Sequence, residues 1–262
     1  MIHTLIIPDV HGRTFWKEAL DKFPKEDYPN IDVIFLGDYL DPYSFENISK
    51  EQAIINFEEI IRIAKEDNRI HLLLGNHDWH YIDHIDDCRI DHINYHQIKS
   101  LFVDNKDLFK IAYENKIDDI TYLYTHAGIT NGWINKMYEI ADTTQRKPWV
   151  SEEQKLWVKE NILDKEFTIE LLNEFPNNFQ TASWLGMVSY ARGGDFRYGS
   201  CIWADYSEHE NSYEPFRKDT YQIFAHSLGI PSLDEGIVTE NYAMVDSRCA
   251  WVLNDDKTIE KL

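Results

Sequence analysis

The sequence predicts an α/β protein built in layers, and three observations predict it. Its first third alternates apolar strands with helices in a β-α-β-α-β order. Each of those strands runs into Pro or Gly and then into polar residues. The 262 residues are 43% hydrophobic and 14% aromatic, enough for one sizeable core and too much for a disordered acidic chain.

Residues 3–7 read as a short strand that stops at Pro8-Asp9, and residues 14–23 as the helix after it. Residues 31–36 form a buried strand ending at Gly37. Residues 50–65 are an amphipathic helix, because Ile54, Phe57, Ile61 and Ala64 fall on one stripe. Ser49 ahead of it, with Gln52 three residues on, has the form of a capping box. Residues 70–74 are the third strand, ending at Gly75. Beyond that the pattern weakens. Residues 79–87, 95–102, 151–162 and 167–174 read as helices, and 109–114, 120–125, 221–224, 242–246 and 250–253 as strands. No repeat or Pro/Gly/Ser linker divides the chain, so residues 1–262 are read as a single domain.

The 46 acidic residues against 26 basic ones leave a formal charge of −20. Such a surface excludes extended nucleic acid and anionic membrane as partners, since both repel it. No apolar run approaches the ~18 residues of a membrane helix, and the N-terminus lacks the basic flank and cleavage site of a secretory signal. Cys88, Cys201 and Cys249 are odd in number and widely spaced, which argues against a disulfide framework and for buried thiols. The expected location is cytoplasmic.

The chemistry gathers at the strand ends. The first strand leads to Asp9-Val10-His11-Gly12, the second to Gly37-Asp38-Tyr39-Leu40-Asp41, and the third to Gly75-Asn76-His77-Asp78. Two later strands end in His126 and His226. Strand ends on one edge of an α/β sheet converge, which is where such folds place ligands. Two divalent ions about 3.5–4 Å apart need a shared anion, and one carboxylate can supply it. Mixed Asp, His and Asn donors suit Mn, Fe or Zn better than Ca or Mg, with Mn the leading choice.

These five fragments, in this order, resemble the calcineurin-like metallophosphoesterase superfamily, whose pattern is D-x-H, G-D-x-x-D, G-N-H-D/E, a later H and then G-H-x. Thr125-His126-Ala127-Gly128-Ile129 and Cys201-Ile202-Trp203-Ala204-Asp205 look like the phosphoprotein phosphatase and diadenosine tetraphosphatase branch. The resemblance implies a four-layer α/β/β/α metallophosphoesterase sandwich of two mixed sheets flanked by helices. It implies that Asp9 and His11 hold one metal, that Asn76, His126 and His226 hold the other, and that Asp38 bridges both. It further implies that His77 is the general acid, that Asp41 orients it, and that a metal-bridging hydroxide attacks phosphorus. An imidazole paired to a carboxylate suits that acid role near neutral pH.

The sequence departs from the pattern at four places. Leu228 stands where diesterases carry a second His, which favours phosphomonoesters. Pro42 stands where the phosphatase branch carries a phosphate-binding Arg after Asp41. Ala225 replaces the usual Gly of G-H, and Asp78, which fits the wider pattern, replaces the Glu usual in the phosphatase branch. Arg192, in Ala191-Arg192-Gly193-Gly194, and Arg13 are the candidate phosphate donors in its stead. The expected substrate is a phosphorylated small molecule, nucleotide or phosphoprotein, with phosphoserine or phosphothreonine in protein foremost. The alternatives are a nucleotide pyrophosphatase of the diadenosine tetraphosphatase kind and a non-catalytic phosphate-binding scaffold.

Residues around 133–184 have no counterpart in the pattern and read as a mostly helical insertion that walls the site, its aromatics packing inward. His80 and His84, at helical i, i+4 spacing, read as a polar cap beside the site rather than a third metal site, and His92 and His96 have no assigned role. Asp83, Asp86, Asp87 and Asp91 read as a solvated acidic face.

Overall fold

The computed structural model describes residues 1–83, 89–212, 216–227 and 235–262. In chain order its elements are β1 (Ile2–Ile7), α1 (Phe15–Lys22), β2 (Asp32–Phe35), α2 (Lys50–Glu66), β3 (Ile70–Leu73), α3 (Asn76–Asp83), α4 (Tyr95–Asp104), β4 (Phe109–Lys110), β5 (Ala112–Ile117), β6 (Ile120–Thr125), α5 (Asn131–Gln145), α6 (Glu152–Val158), α7 (Ile169–Glu174), α8 (Phe179–Leu185), α9 (Tyr206–Ser212), β7 (Thr220–Phe224), β8 (Ile237–Val238), β9 (Tyr242–Met244), β10 (Trp251–Asn254) and β11 (Ile259–Lys261).

Period-two alternation builds the layers. Leu5 and Ile7 of β1, Val33 and Phe35 of β2 and Leu72 of β3 share a core with Trp16 and Ala19 of α1 and with Ile54, Phe57, Ile60 and Ile61 of α2. The residues between them, Ile6, Ile34 and Leu73, point the other way and join Tyr122, Tyr124, Ile223 and Ala243 of a second sheet. The far face of that sheet carries Phe224, Tyr242 and Met244, and His209 of α9 packs on the first two. The result is helices, sheet, sheet and helices, as expected.

Both sheets are mixed. The first has the order β11-β10-β1-β2-β3-β4, with β1 to β4 parallel and β10 antiparallel to β1. The second has the order β5-β6-β7-β9-β8, with β6, β7 and β9 parallel and antiparallel strands at both edges. Parallel neighbours put the C-terminal ends of β1, β2 and β3 side by side, and likewise those of β6, β7 and β9.

The structure redraws two boundaries. Residues 109–114 are not one strand. They divide at Ile111 into β4 and β5, which belong to different sheets. Asn173 makes the crossing possible, because its Oδ1 accepts from Ile111 N (2.8 Å) and Ala112 N (3.0 Å) and its Nδ2 donates to Ala112 O (3.0 Å). The helix expected from residue 79 starts at Asn76, with Trp79 N donating to the Gly75 carbonyl at 3.0 Å. The third motif therefore rides on a first helical turn, where its polar residues hide the apolar period. The capping box of α2 forms as expected between Ser49 and Gln52.

Two side-chain expectations change. Asp91 is not part of a solvated face. It is buried and accepts from Ile93 N and Asn94 N ahead of α4, while Asp83 is exposed and Asp86 and Asp87 lie outside the described residues. Cys201 is buried but Cys249 is half-exposed, and Cys88, His84 and Leu228 lie outside the described residues. Within residues 131–185, Trp133 of α5, Phe167, Phe175 and Trp184 of α8 form a chain of edge-to-face rings.

Candidate metal centre

Five loops meet at the strand ends, and several take left-handed backbone to do so. His11, Asp38, Asp41 and His226 have φ of 45°, 52°, 58° and 69°. A residue with a Cβ pays about 1 kcal/mol or more for that conformation, so the surroundings must over-determine it. Two glycines show how close the loops come. A Cβ on Gly75 would lie 2.2 Å from Asp38 Oδ1 and 2.8 Å from His126 Cε1, and one on Gly37 (φ 106°) would lie 2.4 Å from Gly75 N.

Asp9, His11 and Asp38 bring their ligand atoms within 4.8 Å of one another, and so do Asp38, His126 and His226. Asp38 belongs to both groups, as a bridge between two ions requires. His11 Nε2 lies 3.6 Å from Asp38 Oδ2 and 3.8 Å from Asp9 Oδ2. His126 Nε2 lies 3.6 Å from Asp38 Oδ2, 3.0 Å from Asn76 Oδ1 and 3.1 Å from His226 Nδ1. Six donor residues thus crowd one space, and among the described residues the buried His226 Nε2 finds no hydrogen-bond partner.

The donors are also in the right chemical state. His11 Nδ1–H donates to the Leu40 carbonyl and His126 Nδ1–H to the Leu36 carbonyl, both at 2.8 Å. Each bond leaves the Nε2 lone pair facing the cluster. Burial holds His11, His126 and His226 below the usual histidine range, with nearby cationic groups adding to the effect at His11 and His226. They are neutral imidazoles, able to ligate. Burial, then the charges of Asp9 and Asp78, push Asp38 well above the usual carboxylate range. Divalent cations would relieve that repulsion, so the residues fit a dinuclear site.

Asp78 ties the loops together. It accepts from Gly75 N (2.8 Å), Asp38 N (2.7 Å) and Tyr39 N (3.1 Å), and burial raises its pKa to about 7. His77 stands beside the bridge, its backbone N–H donating to Asp38 Oδ1 at 3.0 Å. Its Nδ1–H donates to Asp41 Oδ2 at 3.0 Å. Asp41 Oδ1 accepts from the Tyr81 hydroxyl at 2.5 Å.

The two arginines singled out from sequence lie at the rim. Arg192 pairs with Asp205 (2.9 Å) and donates to the His226 carbonyl (3.0 Å) and Ser227 Oγ (2.8 Å). Arg13 donates to Glu46 Oε1 (2.8 Å) and to the Asp9 carbonyl (3.0 Å). His80 is buried between His77 and Trp203.

Three residues at the centre escape the sequence reading. Asp246, just past β9, is buried, and burial and the charge of Asp9 push its carboxyl well up. Its position at a strand end on the same edge is the signal that could have found it. Tyr81 and Arg89 carry no such signal. Arg89 Nη2 nonetheless donates to His77 Nε2 at 2.7 Å.

The family model of calcineurin-like phosphoesterases matches residues 2–228, and the chain belongs to that family. It is therefore an α/β protein of the metal-dependent phosphoester hydrolase class, in a family that uses two divalent ions. A solved structure described as "a putative diadenosine tetraphosphatase" aligns with 14% identity over 100% of this chain and 93% of its own, at a TM-score of 0.44. No curated protein matches the chain. Among the described residues, no helix is long and apolar enough to cross a membrane.

Proposed function

We propose that the protein hydrolyses phosphomonoesters, with phosphoserine or phosphothreonine in protein as the foremost substrates. One observation carries this reading: the His77–Asp41 pair stands against two donor groups that share Asp38. Asp9 and His11 would hold one ion, Asn76, His126 and His226 the other, and Asp38 both. When bound, the ions supply an acidified water as nucleophile and neutralise charge on the phosphoryl oxygens. Mn leads this proposal, with Fe and Zn also suited to a mixed carboxylate, imidazole and amide donor set.

His77 is the proton donor in this scheme. Asp41 accepts from Nδ1, which leaves Nε2 as the nitrogen that carries the transferable proton to the leaving oxygen once it is released from the Arg89 N–H that it accepts here. Tyr81 holds the other oxygen of Asp41 and keeps the pair in register. Arg192 and Arg13 are already held by carboxylates. Their part is to offset the acidic centre as an anionic ester approaches. A cytoplasmic location accords with three widely spaced cysteines.

The test is metal analysis of the purified protein, followed by turnover of phosphopeptides, mononucleotides, dinucleoside polyphosphates and cyclic nucleotides with Mn²⁺. Hydrolysis of phosphopeptides above the rest is the expected result. Preference for dinucleoside polyphosphates would move the assignment to a nucleotide pyrophosphatase. Stoichiometric metal without turnover would make it a scaffold.

A further inference from the structure

One cation at the centre rests on a carbonyl, an imidazole nitrogen and an aromatic ring. Arg89 follows α3 and is half-buried. Its Nη1 donates to the Asp41 carbonyl at 3.0 Å, its Nη2 to His77 Nε2 at 2.7 Å, and its guanidinium carbon lies 3.9 Å from the centre of the Tyr43 ring. The carbonyl and the ring fix the plane of the fork. Among the described residues it pairs with no carboxylate, whereas Arg192 pairs with Asp205 and Arg13 with Glu46.

A guanidinium whose N–H rests on one imidazole nitrogen uses a single uncharged acceptor, and a phosphate anion outbids it because it accepts from the fork through two oxygens and carries the opposite charge. The nitrogen that Arg89 covers is the one that faces the leaving oxygen in the reading above. That oxygen and the other phosphoryl oxygens share one phosphorus. An ester placed to take a proton from His77 therefore brings its remaining oxygens to the Arg89 fork.

We propose that Arg89 is the residue that grips the substrate phosphoryl group, exchanging its contact with His77 Nε2 for phosphoryl oxygens when the ester enters. The proposal rests on the phosphohydrolase reading, and phosphate binding and turnover test the two separately.

The experiment compares Mn²⁺-loaded wild type, Arg89→Ala and Arg89→Lys. Calorimetric titration with inorganic phosphate measures the grip, and p-nitrophenyl phosphate measures turnover. Arg89→Ala is expected to weaken phosphate binding and raise KM by about 10- to 100-fold, with metal content and circular dichroism unchanged. Arg89→Lys should recover part of the loss, since it restores charge without the fork. Phosphate affinity of Arg89→Ala within about twofold of wild type overturns the grip, even if the enzyme turns over normally. Loss of phosphate binding in Arg89→Ala, with no turnover by wild type on any ester, upholds the grip and sinks the hydrolase reading instead. A wild type that binds no phosphate overturns the grip, and turnover of the ester alone then decides the hydrolase reading.

Discussion

With His77 as the proposed proton donor, a single substitution separates chemistry from binding. His77→Ala is expected to lower kcat by about 10²- to 10⁴-fold on an alkyl phosphate and far less on p-nitrophenyl phosphate, whose leaving group needs little protonation. Equal losses on both esters would refute the general-acid role. Gly75→Ala tests the metal centre itself. Its Cβ cannot share space with Asp38 Oδ1 and His126 Cε1. Wild type at Mn²⁺ 100-fold above its Kd should gain about 2.7 kcal/mol of stability, read as a rise in Tm, and the variant should gain much less. His209 gives a pH signature. Burial lowers its pKa to about 4, while Nε2–H donates to the Ala127 carbonyl. The unfolded chain therefore takes up a proton near pH 6.5 that the native state refuses until about pH 4. Stability from this group is complete above pH 6.5, falls as the pH drops through that window, and levels off below it. His209→Gln keeps a donor for Ala127 and should remove that part of the pH dependence of Tm.

At the scale of elements, the two sheets are joined by features that no local pattern announces. Asn173 of α7 satisfies three backbone groups where the chain passes from β4 to β5. Asn173→Ala should cost about 2–3 kcal/mol, against about 1 for Ser49→Ala at the exposed cap of α2, measured by urea unfolding. Asp32 at the start of β2 reaches across to Asn115 and Tyr113 of β5 and to His71 of β3. Burial alone would raise its pKa, but those hydrogen bonds outweigh it and hold the carboxyl below its usual value. Strands β1 to β3, helix α2 and its cap were legible because apolar spacing and Ser49-Gln52 are local signals. The start of α3 was not, since Asn76, His77 and Asp78 place polar groups where the apolar stripe would begin. The break at Ile111 was not, since Asn173 lies 62 residues away.

Over the whole molecule, a charge of −20 surrounds a small buried centre. If the substrate is a phosphoprotein, flanking residues should matter through long-range attraction. Phosphopeptides with basic flanks should show higher kcat/KM than acidic ones, and the gap should close as salt shortens the screening length to about 8 Å at 0.15 M. A gap that persists unchanged in high salt would point to specific contacts instead. What the sequence determined by itself is the set of strand-end residues, Asp9, His11, Asp38, Asn76, His126 and His226, because each sits at the end of a recognisable apolar run and carries a metal-capable side chain. What only the tertiary structure decided is their neighbourhood. The sharing of Asp38, the burial of Asp246 within reach of the charge of Asp9, and the seat of Arg89 on Tyr43 and His77 depend on loops meeting across two sheets. Pro42 after Asp41 showed that an arginine was missing. It could not show which one fills the space, because distance along the chain says nothing about which loop ends lie 3 Å apart.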